Sequence, residues 1–439
     1  MHPLMPVAIL FVLFFLDIPI GFALMGSALF YFIFINTTMA MNMVIQQFVT
    51  SIESFPYLAV PFFIMVGSVM NYSGISEQLM NMAEVLAGHM KGGLAQVNCL
   101  LSAMMGGISG SANADAAMES KILVPQMVKK GFSPAFSAAV TAASSAVSPV
   151  IPPGTNLIIY ALIANVPVGD MFLAGYTPGI LMTLSFMITV NIISRKRNYK
   201  PSRDKMATPA EIGRQALKSI WALAIPFGII LGMRMGMFTP TEAGGVAVLF
   251  CFLVGFFVYK KLKISHIPLI LKETVQSTGA VIIIIASAKV FGYYMTLERI
   301  PQMITQGLMD FTNNKFVLLM VINLLLLFVG MFIEGGAALV ILAPLLVPAV
   351  KALGVDPLHF GVIFIVNIMI GGLTPPFGSM MFTVCSIVRV KLEDFIREVW
   401  PFIIALLIVL LIVTYSADIA LFIPCLLYTS PSPRDPKTS

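Results

Sequence analysis

Apolar runs of about 20 residues, the length a helix needs to cross a bilayer, follow one another along the whole chain with only short polar stretches between them. The pattern predicts an all-α polytopic membrane protein with no soluble domain. The first run, Leu4 to Phe34, exceeds one span and is interrupted by Asp17-Ile-Pro19-Ile-Gly21, which predicts a helical hairpin or a kinked pair. The next run, Pro56 to Met70, anchors a crossing expected over 47 to 71. Residues 73 to 93 carry Glu77, Glu84, His89 and Lys91 among apolar positions at helical spacing, as an amphipathic interfacial helix would. From about 94 to 128 the flanks are apolar, but the centre, Gly106-Gly-Ile-Ser109-Gly110-Ser111-Ala-Asn113-Ala-Asp115, is small and polar, so a re-entrant hairpin is expected. Ala135 to Leu162 is broken at Ser144-Ser145-Ala-Val-Ser148-Pro149-Val-Ile-Pro152-Pro153-Gly154, where adjacent prolines force extended chain. A further crossing covers Phe172 to Ile193, and the hydrophilic stretch Arg195 to Lys218 divides the chain near its middle.

The second half repeats the first. With a constant shift of 223, residues 125 to 180 lie over 348 to 403, and all five prolines of the later window (Pro348, Pro357, Pro375, Pro376, Pro401) meet a proline of the earlier one. The earlier window holds seven prolines, so the match is roughly a one in 10⁵ event by chance for a given shift. The same shift lays Gly110 to Asn113 over Ile333-Glu334-Gly335-Gly336, giving a second re-entrant hairpin over about 316 to 352, and a near-identical shift lays Asp17-Ile-Pro19 over Phe238-Thr-Pro240, the break of the run Ile220 to Val258. The expected organisation is a first repeat over 1–198, a connector over 199–218 and a second repeat over 219–424. The composition changes abruptly at 425–439, which reads as a disordered tail with the character of a non-native scar.

Five crossings per repeat, an odd number, turn the second repeat upside down and give ten crossings plus two re-entrant hairpins. The basic residues test this independently. With the amino terminus outside, 18 Lys and Arg fall in inner loops and 4 (Arg234, Arg299, Lys315, Lys351) in outer loops. Both termini are then expected on the outer, periplasmic side.

Composition agrees with the pattern: 58% of the 439 residues are hydrophobic and 10% charged, with a mean hydropathy of +0.95, too few polar side chains to cover a water-soluble surface. The net charge of +6 is a topology signal, because the basic residues sit in short loops, and nucleic-acid binding is not expected. Cys99, Cys251, Cys385 and Cys425 have no paired spacing and imply neither a metal site nor a disulfide framework. The 33 glycines and 28 prolines point to broken helices around an internal site.

A helix interrupted inside the membrane exposes carbonyl oxygens at one half-helix end, which attract a small cation, and N–H groups at the next start, which attract a carboxylate. Four such breaks form two matched pairs: Ser109 to Asn113 with Ser148 to Pro153, and Glu334 to Gly336 with Gly371 to Pro376. Two pseudo-symmetric sodium sites follow, against the plainer reading that Pro-Pro and Gly-Gly only kink buried helices. Ser111, Asn113, Asn156 and Glu334 are the candidates for contact with an organic substrate. Asn156 has a structural reading as a tie between helices, and Glu334 as a tip exposed to outer water. Lys289, inside Val281 to Tyr294, has three open readings: countering a substrate carboxylate, pairing with Glu334 or Asp115, or snorkelling outward. Asp115 and Glu119 share a helix face and are expected to pair with Lys121 or to face an inner aqueous edge.

Gly107-Ile-Ser109-Gly110 resembles the nucleophile site of rhomboid intramembrane proteases, but that chemistry needs a histidine base at membrane depth. The four histidines (His2, His89, His266, His359) are terminal, interfacial or at the start of a span, and no zinc, Walker or dinucleotide motif exists. No enzyme activity and no organic cofactor are expected.

The tip at 106–111, Ile-Pro-Pro at 151–153, Phe-Thr-Pro-Thr-Glu-Ala at 238–243 and Gly-Gly-Leu-Thr-Pro-Pro at 371–376 together resemble the large membrane subunit of a TRAP (tripartite ATP-independent periplasmic) transporter of the DctM type. The resemblance covers residues 1 to about 424. It implies sodium-driven uptake of an organic acid, such as a C4-dicarboxylate or sialic acid, across the bacterial inner membrane. It also implies a separate small membrane subunit, a periplasmic substrate-binding protein, and an elevator mechanism in which hairpins and broken helices move against a scaffold. Carried over by motif, Ser109, Ser111, Ser148, Ile151 and Pro153 would line one Na⁺ site and Gly335, Gly371, Thr374 and Pro376 the other. A stand-alone sodium/dicarboxylate symporter of related architecture would use the same paired breaks without either partner.

Overall fold

The structure, a computed structural model, describes residues 4–16, 18–36, 41–53, 55–312 and 314–428. Among these residues it is helical throughout, with no strand. The first apolar run is the pair α1 (Met5–Phe15) and α2 (Ile20–Phe30), with Pro19 as the α2 N-cap and a π-helical turn, Tyr31–Ile35, extending its end. Asp17, at the expected break, lies outside the described residues.

The crossing expected over 47 to 71 is divided. A separate amphipathic helix, α3 (Met41–Ile52), precedes α4 (Ala59–Ser73), because Asn42, Gln46, Gln47 and Thr50 line one face of the earlier segment and Pro56 cannot donate within a continuous helix. Gly74, in the left-handed region, ends α4, and α5 (Ile75–Ala87) leaves it at a bend of 74°. That bend matches the amphipathic segment read from Glu77 and Glu84.

The first hairpin is α6 (Gly93–Ser109), then α7 (Ala112–Ile122), finished by the short α8 (Val124–Lys129). The broken helix that follows is α9 (Pro134–Ser145) and α10 (Thr155–Ala164), separated by the proline-rich stretch 146–154. Helix α11 (Val168–Lys196) is longer than the apolar run alone. The connector is only partly a loop: Thr208 and Glu211 form a reciprocal capping box that starts α12 (Pro209–Arg234), so 209–218 are already helical. The Phe-Thr-Pro-Thr-Glu-Ala stretch is another helix start. Thr239 and Glu242 cap each other at the head of α13 (Pro240–Leu253), which a second π-helical turn, Val254–Val258, extends.

Where the first half has α3, a break and α4, the second half has one long helix, α14 (Ile267–Leu297), followed by α15 (Ile300–Phe311). The second hairpin is α16 (Lys315–Phe332) and α17 (Gly335–Ala352), and the second broken helix is α18 (Pro357–Leu373) and α19 (Ser379–Val388). Helix α20 (Leu392–Tyr415) follows. Cys425 to Tyr428, expected in the disordered tail, belong to a short helix, Phe422–Tyr428, because Cys-Leu-Leu-Tyr is still apolar. Residues 429–439 lie outside the described residues.

Among the described residues, seven helices are long and apolar enough to span a bilayer, eight if the bent pair α4 and α5 is one span. They expose large apolar side chains such as Leu231, Phe257 and Phe328, as lipid contact requires. The main core is built on hairpins and broken helices, with α6 and α7 against α9, and α16 and α17 against α18. A smaller core joins α1 and α2 to α14.

Buried amides tie each hairpin to its broken helix in the same way. In the first half Ser144 Oγ donates to Asn98 Oδ1 at 3.0 Å and Asn98 Nδ2 to Thr141 at 2.7 Å. In the second, Asn367 Nδ2 donates to Asn323 Oδ1 at 2.8 Å and Asn323 Nδ2 to Thr414 at 3.0 Å. Interhelical hydrogen bonds of this kind inside a membrane protein contribute about 1 kcal/mol. Asn98→Ala and Asn367→Ala should therefore each lower the midpoint of thermal unfolding in detergent, whereas Asn191→Ala, whose side chain meets exposed Arg195, should leave it unchanged.

Candidate functional site

Four breaks converge on the middle of the molecule. At the first hairpin tip, Gly110 takes a left-handed conformation (φ 58°), and Ser111 caps α7 by accepting the Ala114 N–H at 3.4 Å. The tip is pressed onto the first broken helix: the Thr155 hydroxyl donates to the Gly110 carbonyl at 3.1 Å. At the second tip, Ile333 is extended and the Glu334 carboxylate accepts the N–H groups of Gly336 (3.1 Å) and Ala337 (3.3 Å). Here two backbones meet directly. A methyl group on Gly371 would sit 2.6 Å from the Gly330 backbone, so only glycine allows α16 and α18 this approach.

The cluster expected to form the first cation site is centred on Ser148, fully buried in the 146–154 stretch. Its hydroxyl donates to the Asp115 carboxylate and also approaches the Ser102 carbonyl at 3.3 Å. Asp115 is thus part of this cluster, a role the sequence reading missed. The expected pairing of Asp115 and Glu119 with Lys121, or their exposure at an aqueous edge, is corrected: both acids are buried and Lys121 is exposed. On a helix, positions 115 and 119 share the face turned to α6 and α9, and position 121 does not. Glu119 accepts the Ser102 hydroxyl at 2.9 Å and lies 3.5 Å from the hydroxyls of Ser144 and Ser145, tying α7 to both neighbours. The signal was available, since an acid one or two turns past Ser111 in a segment of alanines and glycines has to turn inward.

Ile151 and Pro153 belong to the same proline-rich stretch and are buried. Ser109 ends α6, and its side chain lies outside the described set. In the second cluster Thr374 is the extended C-cap of α18. Its hydroxyl donates to the Ile370 carbonyl at 2.7 Å and its own carbonyl accepts from Gly378 at 3.2 Å, with Gly371 one turn before and Pro376 two residues after.

All four substrate candidates line one cavity of about 430 Å³: Ser111, Asn113, Asn156 and Glu334, together with Gly335. Asn156 faces the opposite tip, since a methyl group on Gly335 would lie 3.4 Å from its amide nitrogen. The Asn113 carbonyl oxygen is buried without a hydrogen-bond partner. The sequence reading missed the far wall, formed by Ser68 and Asn71 of α4 and by Glu273 and Ser277 of α14, which stand at helical spacing. Tyr72 holds Glu273 at 2.7 Å. Lys289 is in a different cavity from Glu334 and pairs with neither Glu334 nor Asp115.

The helix starts around this cavity differ in a way that bears on chemistry. Helices α7, α9, α12, α13, α16, α17 and α18 are each capped by a side chain (Ser111, Ser133, Thr208, Thr239, Asn314, Glu334, Asp356). Helices α10 and α19, the far halves of the two broken helices, begin at Gly154 and Gly378 with no side-chain cap, as do α2, α4, α5, α6, α11, α14 and α20 elsewhere. Their first residues, Thr155 and Asn156, and Ser379 and Met380, line the cavity. Two helix N-termini without a side-chain cap among the described residues thus border one space, an arrangement suited to carboxylate.

His359 Nε2 donates to the Val413 carbonyl at 2.7 Å, His266 packs on the Tyr72 ring, and among the described residues no histidine lines either cavity.

Comparison with known proteins gives the family. The family model for the DctM component of tripartite ATP-independent periplasmic transporters matches residues 7–419. The large permease protein SiaM of a sialic acid TRAP transporter from Vibrio cholerae is 39% identical over 416 residues, covering 94% of this chain and 96% of that one. The C4-dicarboxylate TRAP transporter large permease DctM of Pseudomonas aeruginosa is 33% identical, covering 87% and 89%. The isethionate TRAP transporter permease DctMQ of Oleidesulfovibrio alaskensis is 35% identical, and the match covers 95% of this chain but 66% of that longer one. In fold, the chain is similar to the YdaH transporter of Alcanivorax borkumensis, with a TM-score of 0.59 at 15% identity, over 85% and 88% of the two chains. With a family model matched along nearly its whole length and relatives above 30% identity end to end, this chain belongs to the DctM family, the large permeases of tripartite ATP-independent periplasmic transporters.

Proposed function

We propose that this chain carries an organic acid of the C4-dicarboxylate or sialic acid type across the bacterial inner membrane, driven by a sodium gradient. It acts as the transport subunit of a system completed by a small membrane subunit and a periplasmic binding protein. The observation that carries this reading is the pair of uncapped helix N-termini, α10 and α19, open to one 430 Å³ cavity. Their N–H groups receive a substrate carboxylate, and Ser111, Asn113 and Asn156 meet its polar remainder. Glu334 already spends one oxygen on its own helix start, so it meets a hydroxyl or amide of the substrate and not a second carboxylate, which it would repel.

Sodium belongs at the two clusters beside the cavity. Ser109, Ser111, Ser148, Ile151 and Pro153, joined by the Asp115 carboxylate, form the first site, and Gly335, Gly371, Thr374 and Pro376 the second. A cation next to Asp115 offsets the cost of a buried carboxylate. The Thr374 hydroxyl donates its hydrogen to Ile370 and keeps its lone pairs for the ion. Filling both sites draws the tips onto the broken helices, which couples the ion to closure over the substrate.

The halves act as inverted repeats. Support comes from the hairpin and broken-helix pairs, from the π-helical turns at 31–35 and 254–258, which stand 223 residues apart, and from the excess of basic residues in one set of loops. In this reading both termini are periplasmic, and the two hairpins and two broken helices move as an elevator against a scaffold that includes α4 and α14.

Uptake into proteoliposomes tests the proposal. Labelled C4-dicarboxylates and N-acetylneuraminate should enter only with a sodium gradient and with the binding protein present. Uptake without the binding protein would favour a stand-alone symporter, and uptake without sodium would remove the coupling. Asn156→Asp sets a negative charge beside both N-termini and should raise KM at least about tenfold; an unchanged KM would show that the substrate lies elsewhere. Thr374→Ala should raise the sodium concentration for half-maximal uptake about threefold or more, and an unaltered sodium dependence would count against the second site.

A further inference from the structure

A second cavity, of about 300 Å³, is lined by Gln47, Tyr57, Asn165, Lys289, Tyr293 and Thr296 among other residues. It lies in line with the first. Helix α14 contributes Ile284 to the first cavity and Ile285 to the second, α10 contributes Ile159 to the first and Leu162 to the second, and Val340 of α17 lines both. Apolar side chains thus separate two polar chambers along a single track.

Lys289 is the charged group lining this cavity. It stands eight residues before the α14 end at Leu297, roughly 12 Å along the helix axis. Among the described residues it has no ion pair and no hydrogen bond. An ammonium at that depth is costly unless it faces water and an anion, and its surroundings supply neutral hydrogen-bonding groups: the amides of Gln47 and Asn165, the Tyr57 and Tyr293 hydroxyls and Thr296. Neutral donors and acceptors around a single unpaired cation suit an anionic ligand that also carries polar groups. Lys289 is exposed where it lines the cavity, so an anion arriving from water can meet it.

We propose that this second cavity is a receiving subsite for the carboxylate of the transported organic anion, with Lys289 as its cationic contact, occupied before the ligand reaches the first cavity. The proposal rests on the functional reading above for the ligand class and for which side is outer. Lys289 draws the anion in by charge, and the neutral side chains hold it loosely enough to pass on. A lipid phosphate could also meet an unpaired lysine, so the test separates the two.

The full chain, reconstituted with its small subunit, is assayed as wild type, Lys289→Gln and Lys289→Arg. Lys289→Gln should raise the KM for the organic acid about tenfold with Vmax changed less than about twofold, and Lys289→Arg should return KM to within about threefold of wild type. The sodium dependence should not move in either variant. An unchanged KM in Lys289→Gln, or a loss of Vmax that arginine fails to rescue, overturns the subsite.

A second readout does not depend on transport. In a Cys425→Ser background, where the remaining cysteines are buried, Thr296→Cys is labelled with an anionic sulfonate and with a cationic ammonium methanethiosulfonate. The anionic reagent should react faster, and adding Lys289→Gln should lower the ratio of rates about tenfold; a ratio indifferent to Lys289 overturns the proposal. If the wild type takes up no organic acid, the functional reading fails while this labelling still decides the anion site. Both experiments are repeated in vesicles of pure phosphatidylcholine and of pure phosphatidylglycerol. The Lys289 effects should appear in both, and effects confined to the anionic vesicles would assign the lysine to lipid and overturn the proposal.

Discussion

Hydrocarbon offers nothing to a free N–H or C=O, so a helix can stop inside a membrane only where other protein surrounds the break. Both broken helices of this chain meet that condition by having a hairpin tip laid against them. The Gly110 carbonyl receives the Thr155 hydroxyl, and the bare backbones of Gly330 and Gly371 touch. Each contact encloses the loose backbone groups of two breaks in one volume too small and too polar for lipid. The rest of the architecture answers to these enclosures. The buried Asn98–Ser144 and Asn323–Asn367 pairs hold hairpin to broken helix, and the main core forms around them.

The capping pattern divides the work at the centre. Both hairpin tips satisfy their own returning helix, through Ser111 and Glu334, so they present side chains to the cavity. Both broken helices restart at glycine, where a side chain has no room: a methyl on Gly154 would meet the Pro149 carbonyl at 2.3 Å and one on Gly378 the Gly372 carbonyl at 2.6 Å. The packing that closes the break is therefore the same packing that forbids a cap. Positive helix ends stay available to a ligand because the turn before them is too tight for the residues that would neutralise them.

Sequence was informative where covalent constraint was strong and silent where contact came from distant segments. Pro152-Pro153 and Pro375-Pro376 dictate breaks under any packing, and the restarts at Thr155 and Ser379 lie where those prolines put them. The substrate candidates Ser111, Asn113, Asn156 and Glu334 came together in one cavity because each is a polar residue beside such a break. Asp115 and Glu119 were misassigned because Lys121 is near in sequence, whereas the serines they meet come from α6, α9 and the 146–154 stretch. The separate α3 was hidden by an apolar run that continues past it, and its polar face shows only when Asn42, Gln46 and Gln47 are read at helical spacing. Ser68, Asn71, Glu273 and Ser277 were passed over for a related reason: an isolated polar residue on a spanning helix acquires meaning only when the helix it faces is known.

Helix α14 gives the molecule a direction. Glu273, Ser277, Val281 and Ile284 face the first cavity, and Ile285, Ala288, Lys289, Gly292 and Thr296 face the second, a single stripe at helical spacing. Along it, charge runs from a carboxylate held by Tyr72 at one end to an unpaired ammonium near the other. For an anion this is attraction on one side and repulsion on the other, with apolar side chains between. Fixed charges cannot drive net transport, since they alter entry and exit alike at equilibrium. What the stripe can do is set rates: it concentrates an anion at the lysine end and discourages its return from the glutamate end. A helix that is continuous here, where the first half of the chain has α3, a break and α4, is the right element to carry such a stripe, because an unbroken helix keeps its charges in fixed register.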